Sequence, residues 1–180
     1  MHEARLSETE LAVSADGSMA LSSSVDHSII LWDISNVGQI LTIQGYYGIN
    51  GVQFSPDGQR ALTVSQDFTL ALWYTAADVR DYGPTIWNLI MAQNYQSYPT
   101  AAALSPDGWH AITGSCGSVD ENSGLCNGGE LVLWDVNSAL AVWRTSGHSA
   151  TVTAAAFSPD GRFVLTGSCA ALDRESSECS

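Results

Sequence analysis

The chain contains no lysine at all, and its fixed cationic charge rests on six arginines set against 19 acidic residues, for a formal net charge of −13. Nucleic-acid binding needs clustered cations to displace counterions from phosphate, and no such cluster exists here. Anionic membrane surfaces are disfavoured for the same reason. The missing lysine also removes Schiff-base chemistry, and no glycine-rich phosphate loop is present. No apolar run approaches the ~18 residues needed to span a bilayer. The first residues, MHEARLSETE, are polar and acidic, so no secretory leader is expected. Four histidines (His2, His27, His110, His148) are scattered, and no serine or cysteine nucleophile motif accompanies them. Charged residues make up only 14% of the chain and hydrophobic residues 45%, which is a globular composition.

What the chain does have is one tetrapeptide pattern written four times. Ser-Ala-Asp-Gly stands at 14–17, and Ser-Pro-Asp-Gly at 55–58, 105–108 and 158–161. Three copies are followed by Leu-Trp, ending at Trp32, Trp73 and Trp134. The serines are 41, 50 and 53 residues apart, so the basic unit is 41 residues, with extra residues after Trp73 and before Trp134. A period of this size means stacked units. Asp-Gly between apolar runs is a hairpin signal, because both residues tolerate the positive φ of tight turns. Each unit reads as four short strands: 52–54 or 152–157 before the turn, 61–64 or 163–166 after it, then 28–32 or 130–134 with the Leu-Trp, and finally 39–43, 86–92 or 140–145.

With Gly147-His148, the Phe-Ser-Pro-Asp-Gly run at 157–161 and the dipeptides Trp32-Asp33 and Trp134-Asp135, the chain resembles the WD-repeat (Trp-Asp repeat) β-propeller family over about residues 10–180. The resemblance implies an all-β fold, a partial β-propeller of four-stranded antiparallel blades. Its blades fall at approximately 10–44, 49–93, 99–146 and 150–180, the last of them partial. It also implies that His148, the hydroxyls of Ser24 and Ser65, the turn acids Asp26 and Asp67, and the indoles of Trp32, Trp73 and Trp134 are structural, pinning strands within a blade by hydrogen bonds. The pattern has departures. Tyr74 replaces the Asp after Trp73, Gly128 stands where the third unit would carry its turn Asp, and Tyr46 and Tyr95 fall where His is expected.

Three blades and half of a fourth do not close a ring of the usual four to eight. The expectation is therefore a fragment of a longer propeller, with a half-ring closed by a second copy as the alternative. The excess in the third unit, CGSVDENSGLC from Cys116, has a twin in the fourth, CAALDRESSEC from Cys169, and both follow Thr-Gly-Ser. All four cysteines thus form two copies of one device, most simply a disulfide closing each loop: Cys116 with Cys126, and Cys169 with Cys179. Zinc on these cysteines and calcium on Asp120, Asn122 and Glu130 are the open alternatives. Paired cysteines point to an oxidising, extracytoplasmic compartment.

No catalytic, cofactor or metal motif emerges. The reading is a non-catalytic scaffold for protein partners, with specificity carried by loops on a stiff frame. The alternative is the sensing or substrate-positioning part of a larger enzyme, such as a kinase or protease fusion. The loops joining second to third strands share a rim, by family analogy, with those joining one blade to the next. This places Tyr46, Tyr47, Tyr95, Asp120, Glu121, Asn122, Arg174 and Glu175 together as the expected interaction surface.

Overall fold

Alternation of apolar and polar residues, broken by turn tetrapeptides, yields strands and no helix among the described residues. The computed structural model describes residues 10–24, 26–44, 47–75, 86–91, 98–120 and 126–169. The first sheet holds β1 (Leu11–Val13), β2 (Met19–Ser23), β3 (Ser28–Asp33) and β4 (Gly38–Gln44). The second holds β5 (Ile49–Phe54), β6 (Arg60–Ser65), β7 (Thr69–Tyr74) and β8 (Ile86–Met91). The third holds β9 (Ala101–Leu104), β10 (His110–Cys116), β11 (Gly129–Asp135) and β12 (Leu140–His148). β13 (Thr151–Phe157) and β14 (Val164–Cys169) form a hairpin. Every pairing is antiparallel and every sheet is a simple meander, the shape of a propeller blade.

The blades stack because each has two apolar faces. Leu21, Ile29 and Leu31 of the first sheet close against Phe54 and Ala61 of the second, with Trp73 packed alongside. Leu62, Val64, Leu70 and Leu72 on the second sheet's other face meet Leu104, Ala111, Val132 and Trp134 of the third. Full burial of each large side chain contributes roughly 1.5–3 kcal/mol, so these two seams carry most of the hydrophobic stabilisation. The inner strands β1, β5, β9 and β13 lie side by side in that order. Polar hooks join them: the Leu104 N–H donates to Gln53 Oε1 at 2.8 Å, and the Thr100 hydroxyl donates to the Val152 carbonyl at 2.6 Å. Where the fourth hairpin meets the third blade, a Cβ on Gly129 would lie 2.4 Å from the Ala150 carbonyl oxygen, so only glycine allows that approach.

The tryptophans record the stacking. Each faces the preceding blade, and Trp134 is 4% exposed whereas Trp32, with no sheet on that side among the described residues, is 36% exposed. Val13 and Ala20 lie in register with Trp32 on that open face. At the other end Trp143 and Leu165 are exposed. A register shift recurs at the Leu-Trp step of all three complete sheets, between Leu31 and Trp32, Leu72 and Trp73, and Leu133 and Trp134. Such bulges sharpen the strand twist that lets successive blades fan out.

Candidate interaction surface

The antiparallel meander sends alternate connections to opposite rims. The lower rim carries the turns between first and second strands, and there the repeated tetrapeptide forms one hydrogen-bonded box four times. The hydroxyls of Ser14, Ser55, Ser105 and Ser158 donate to the carboxylates of Asp16, Asp57, Asp107 and Asp160 at 2.7, 2.5, 2.5 and 2.6 Å. Each hydroxyl also accepts the N–H five residues on, from Met19, Arg60, His110 and Phe163. The same carboxylates accept the N–H two residues on. Gly17, Gly58, Gly108 and Gly161 sit at φ between 67° and 72°, which is why the fourth position is glycine. The serine hydroxyl bond draws the Asp16 carboxyl from the usual 3.8 down to about 2, and the equivalent serine bonds lower Asp57, Asp107 and Asp160. These aspartates are occupied structural groups.

The Asp of each Trp-Asp dipeptide closes the next lower turn. Asp33 accepts the N–H of Asn36 at 3.0 Å and Asp135 that of Ser138 at 2.8 Å; the backbone bond from Ser138 lowers the Asp135 carboxyl. Asp26 and Asp67 do the same for the upper turns, accepting from Ser28 and Thr69 at 2.9 and 3.0 Å, and the Ser28 hydroxyl holds Asp26 below its usual range.

The acceptors of the indole bonds were not assigned from the sequence. The indole N–H bonds run to Ser22 at 2.9 Å from Trp32, Thr63 at 2.8 Å from Trp73 and Thr113 at 2.9 Å from Trp134. The hydroxyl acceptor is therefore two residues before Ser24 and Ser65, on the strand and on the same face as the indole. Ser65 instead donates to the Gly48 carbonyl at 3.1 Å, and the Ser24 hydroxyl accepts from the Asp26 N–H at 3.4 Å. The legible signal was a hydroxyl ten residues ahead of Trp32 and of Trp73. His148 keeps its place in this scheme: its Nε2 lies 2.7 Å from the Thr166 hydroxyl, and Thr166 matches Thr113 in the Thr-Gly-Ser-Cys run.

The upper rim gathers the remaining candidates. Cys116 and Cys126 are bonded to each other, with Cα atoms 5.7 Å apart, which removes them as zinc ligands. Cys169 is also in a disulfide; Cys179 lies outside the described residues. Beside the bonded pair, a Val119–Cys126 bridge and the bonds from Gly117 N–H to Gly128 and Asn127 N–H to Ser118 brace the loop, leaving Val119 exposed next to a half-buried Asp120. Among the described residues no three His, Cys, Asp or Glu side chains converge as metal ligands. Tyr47 is exposed on this rim. Tyr46, Tyr95, Glu121, Asn122, Arg174 and Glu175 lie outside the described residues. The structure adds two rim residues that sequence reasoning missed. Phe68 and Tyr98 are both exposed, with ring centroids 6.5 Å apart in an edge-to-face pair. Neither belongs to a recurring motif, so nothing in the repeat pattern singled them out.

Comparison with known proteins agrees with this architecture. The family model described as "WD domain, G-beta repeat" matches residues 6–33, 38–74 and 140–174. A guanine nucleotide-binding protein subunit beta of Oryza sativa subsp. japonica is 30% identical over 158 residues, covering 86% of this chain and 39% of that protein. Protein groucho of Drosophila melanogaster is 27% identical over 143 residues, 76% of this chain and 17% of that protein. The chain thus spans about two-fifths or less of the length of these relatives. Among solved structures, Kuenenia stuttgartiensis hydrazine synthase superposes with a TM-score of 0.67 at 19% identity, over 86% of this chain and 42% of that one, a likeness of fold. Recurring turn boxes, the Leu-Trp strands with their indole–hydroxyl bonds and a family match over more than half its residues make this chain a member of the WD-repeat family.

Proposed function

We propose that the chain is a non-catalytic protein-interaction scaffold that binds partners on its upper rim. The observation that carries this reading is the exposed aromatic rim of Tyr47, Phe68 and Tyr98 on a frame braced by a disulfide. Aromatic side chains offer large contact area at little entropic loss, and stiff scaffolds with exposed loops suit recognition. Several groups suited to chemistry are engaged in structural bonds: Cys116 and Cys126 with each other, His148 with Thr166, the turn serines with their aspartates. Repeats of this family, in relatives such as the rice beta subunit and groucho, support a scaffold role.

Two finer points belong to the same reading. The open faces bearing Val13 and Trp32 at one end and Trp143 and Leu165 at the other are blade-stacking surfaces, covered by further blades of the same kind. The bonded cysteines support an oxidising compartment as its location. To test the scaffold reading, displayed peptides would be selected against the 180-residue chain and the binders mapped with Tyr47→Ala on the upper rim and Trp109→Ala on the lower. Binders lost with Tyr47→Ala and kept with Trp109→Ala are expected. Binders that ignore the upper rim and depend on Trp109 would overturn it.

A further inference from the structure

Phe68 combines two features that rarely meet. It is a large apolar side chain left partly in solvent, and its backbone φ is +68°, the left-handed region where glycine or asparagine is the default. The equivalent turn of the first blade places His27 at the same φ of 68°. Phe68 keeps 38% of its surface in solvent at a backbone position where glycine is less strained.

The ring also sits on a rigid base. Gly48, next to Tyr47, accepts the Gln66 N–H at 2.9 Å and the Ser65 hydroxyl. Gln66 Nε2 donates to Asn50 Oδ1 at 3.3 Å, and Asn50 Nδ2 donates to the Pro99 carbonyl at 2.9 Å. Asn50 is free to do this because the β5–β6 register skips it, between Ile49 and Gly51. Pro99 follows Tyr98, which meets Phe68 edge-on. A chain of polar bonds thus ties the connection from blade one to the turn of blade two and the entry to blade three. The Thr100 N–H donates to the Gly114 carbonyl at 2.8 Å, so the entry to blade three runs beside β10, the strand that ends in the disulfide-bonded Cys116.

Acidic side chains stand among the described residues of this rim. Asp26, Asp67 and Asp120 lie on this rim, and the two bonds from Thr69 to Asp67 both land on Oδ1. The arginines of the described residues lie elsewhere: Arg60 and Arg162 begin at the lower rim, where Arg60 donates to the Gly108 carbonyl, and Arg144 lies in β12 over the Trp134 ring. Aromatic faces beside a carboxylate, with no arginine among the described residues of this rim, match a guanidinium, which stacks on the ring and pairs with the acid together.

We infer that the strip formed by Tyr47, Phe68 and Tyr98, flanked by Asp67, is a docking surface for an arginine-bearing segment of a partner protein. This inference rests on the scaffold reading and narrows it to one partner chemistry. The test uses the 180-residue chain and three fluorescein-labelled probes, alternating Arg-Gly, Lys-Gly and Glu-Gly octapeptides, followed by anisotropy at near-physiological salt. The Arg-Gly probe binds, more tightly than Lys-Gly, and the Glu-Gly probe does not. Phe68→Gly weakens Arg-Gly binding roughly tenfold without lowering the melting temperature, since glycine relieves the left-handed strain; unfolding therefore does not account for the loss. Phe163→Ala, an exposed aromatic on the lower rim, leaves binding unchanged. Arg-Gly binding that survives Phe68→Gly is bulk attraction to an acidic chain and overturns the proposal, as does equal affinity for the Arg-Gly and Lys-Gly probes. Upper-rim binders from peptide selection that lack arginine would overturn it while leaving the scaffold reading intact.

Discussion

The same indole–hydroxyl bond is made in three blades at three depths, and removing the hydroxyl should cost according to depth. Thr113 is 1% and Trp134 4% exposed, and the Trp134 N–H donates to Thr113 Oγ1 at 2.9 Å. Thr113→Val keeps the shape but turns a methyl towards the indole N–H, stranding a donor where water does not reach. An unsatisfied buried donor costs about 1–3 kcal/mol. For a chain of this size that lowers the melting temperature by roughly 2–12 °C. Ser22 makes the same bond at 2.9 Å to Trp32, but that indole stands on an open face. In Ser22→Ala, water replaces the lost acceptor and the loss stays below about 0.5 kcal/mol. Thr63→Val, whose partner Trp73 is half-buried, falls between them. Urea titrations of the three variants, read as changes in midpoint at constant slope, measure the series. Equal losses from Ser22→Ala and Thr113→Val would show that burial does not set the value of this bond, and the reasoning fails.

Other consequences follow from local geometry. Val37 is 91% exposed with φ at +50°, an unfavourable conformation for a β-branched residue. Val37→Asn should stabilise by about 0.5–1 kcal/mol, and an unchanged or lower melting temperature would count against that strain. Six carboxyls are lowered by turn hydrogen bonds: Asp16, Asp26, Asp57, Asp107, Asp135 and Asp160. A lowered folded-state value means stability that is complete above the unfolded value and lost as pH falls through the folded one. Melting temperature should thus hold from neutral pH down to about 5 and then fall, with the contribution of Asp16 lost between 3.8 and about 2. Asp16→Asn should flatten that limb, and an unaltered acid profile would refute the assignment. The paired Cys116→Ser and Cys126→Ser change opens a loop of ten residues' separation and should cost about 2–3 kcal/mol, measured by urea unfolding; a loss near zero would show that the loop is held without its bridge.

How far each feature was legible depends on the range of the forces behind it. The four tetrapeptides announced their turns because serine hydroxyl, aspartate carboxylate and glycine φ all act within five residues. The disulfide was legible because the two loops repeat one spacing, and its partner lies only ten residues away. The indole acceptors were not picked out, because which hydroxyl faces Trp32 or Trp73 is decided by cross-strand register: Ala20 lies opposite Trp32, which puts Ser22 within reach diagonally on the same face. Phe68 and Tyr98 were invisible for a further reason. They belong to different blades, and only the stacking of β5 beside β9, hooked by Asn50 to Pro99, brings their rings together.

By itself, then, the sequence determined the repeat, the meander of each blade, the turn boxes and the family, since all of these arise from short-range hydrogen bonding and the period-2 placement of apolar side chains. Tertiary structure alone decided how deeply each tryptophan is buried and which exposed rings form one surface, because burial and adjacency are set by the neighbouring blade, whose contacts lie some fifty residues away along the chain.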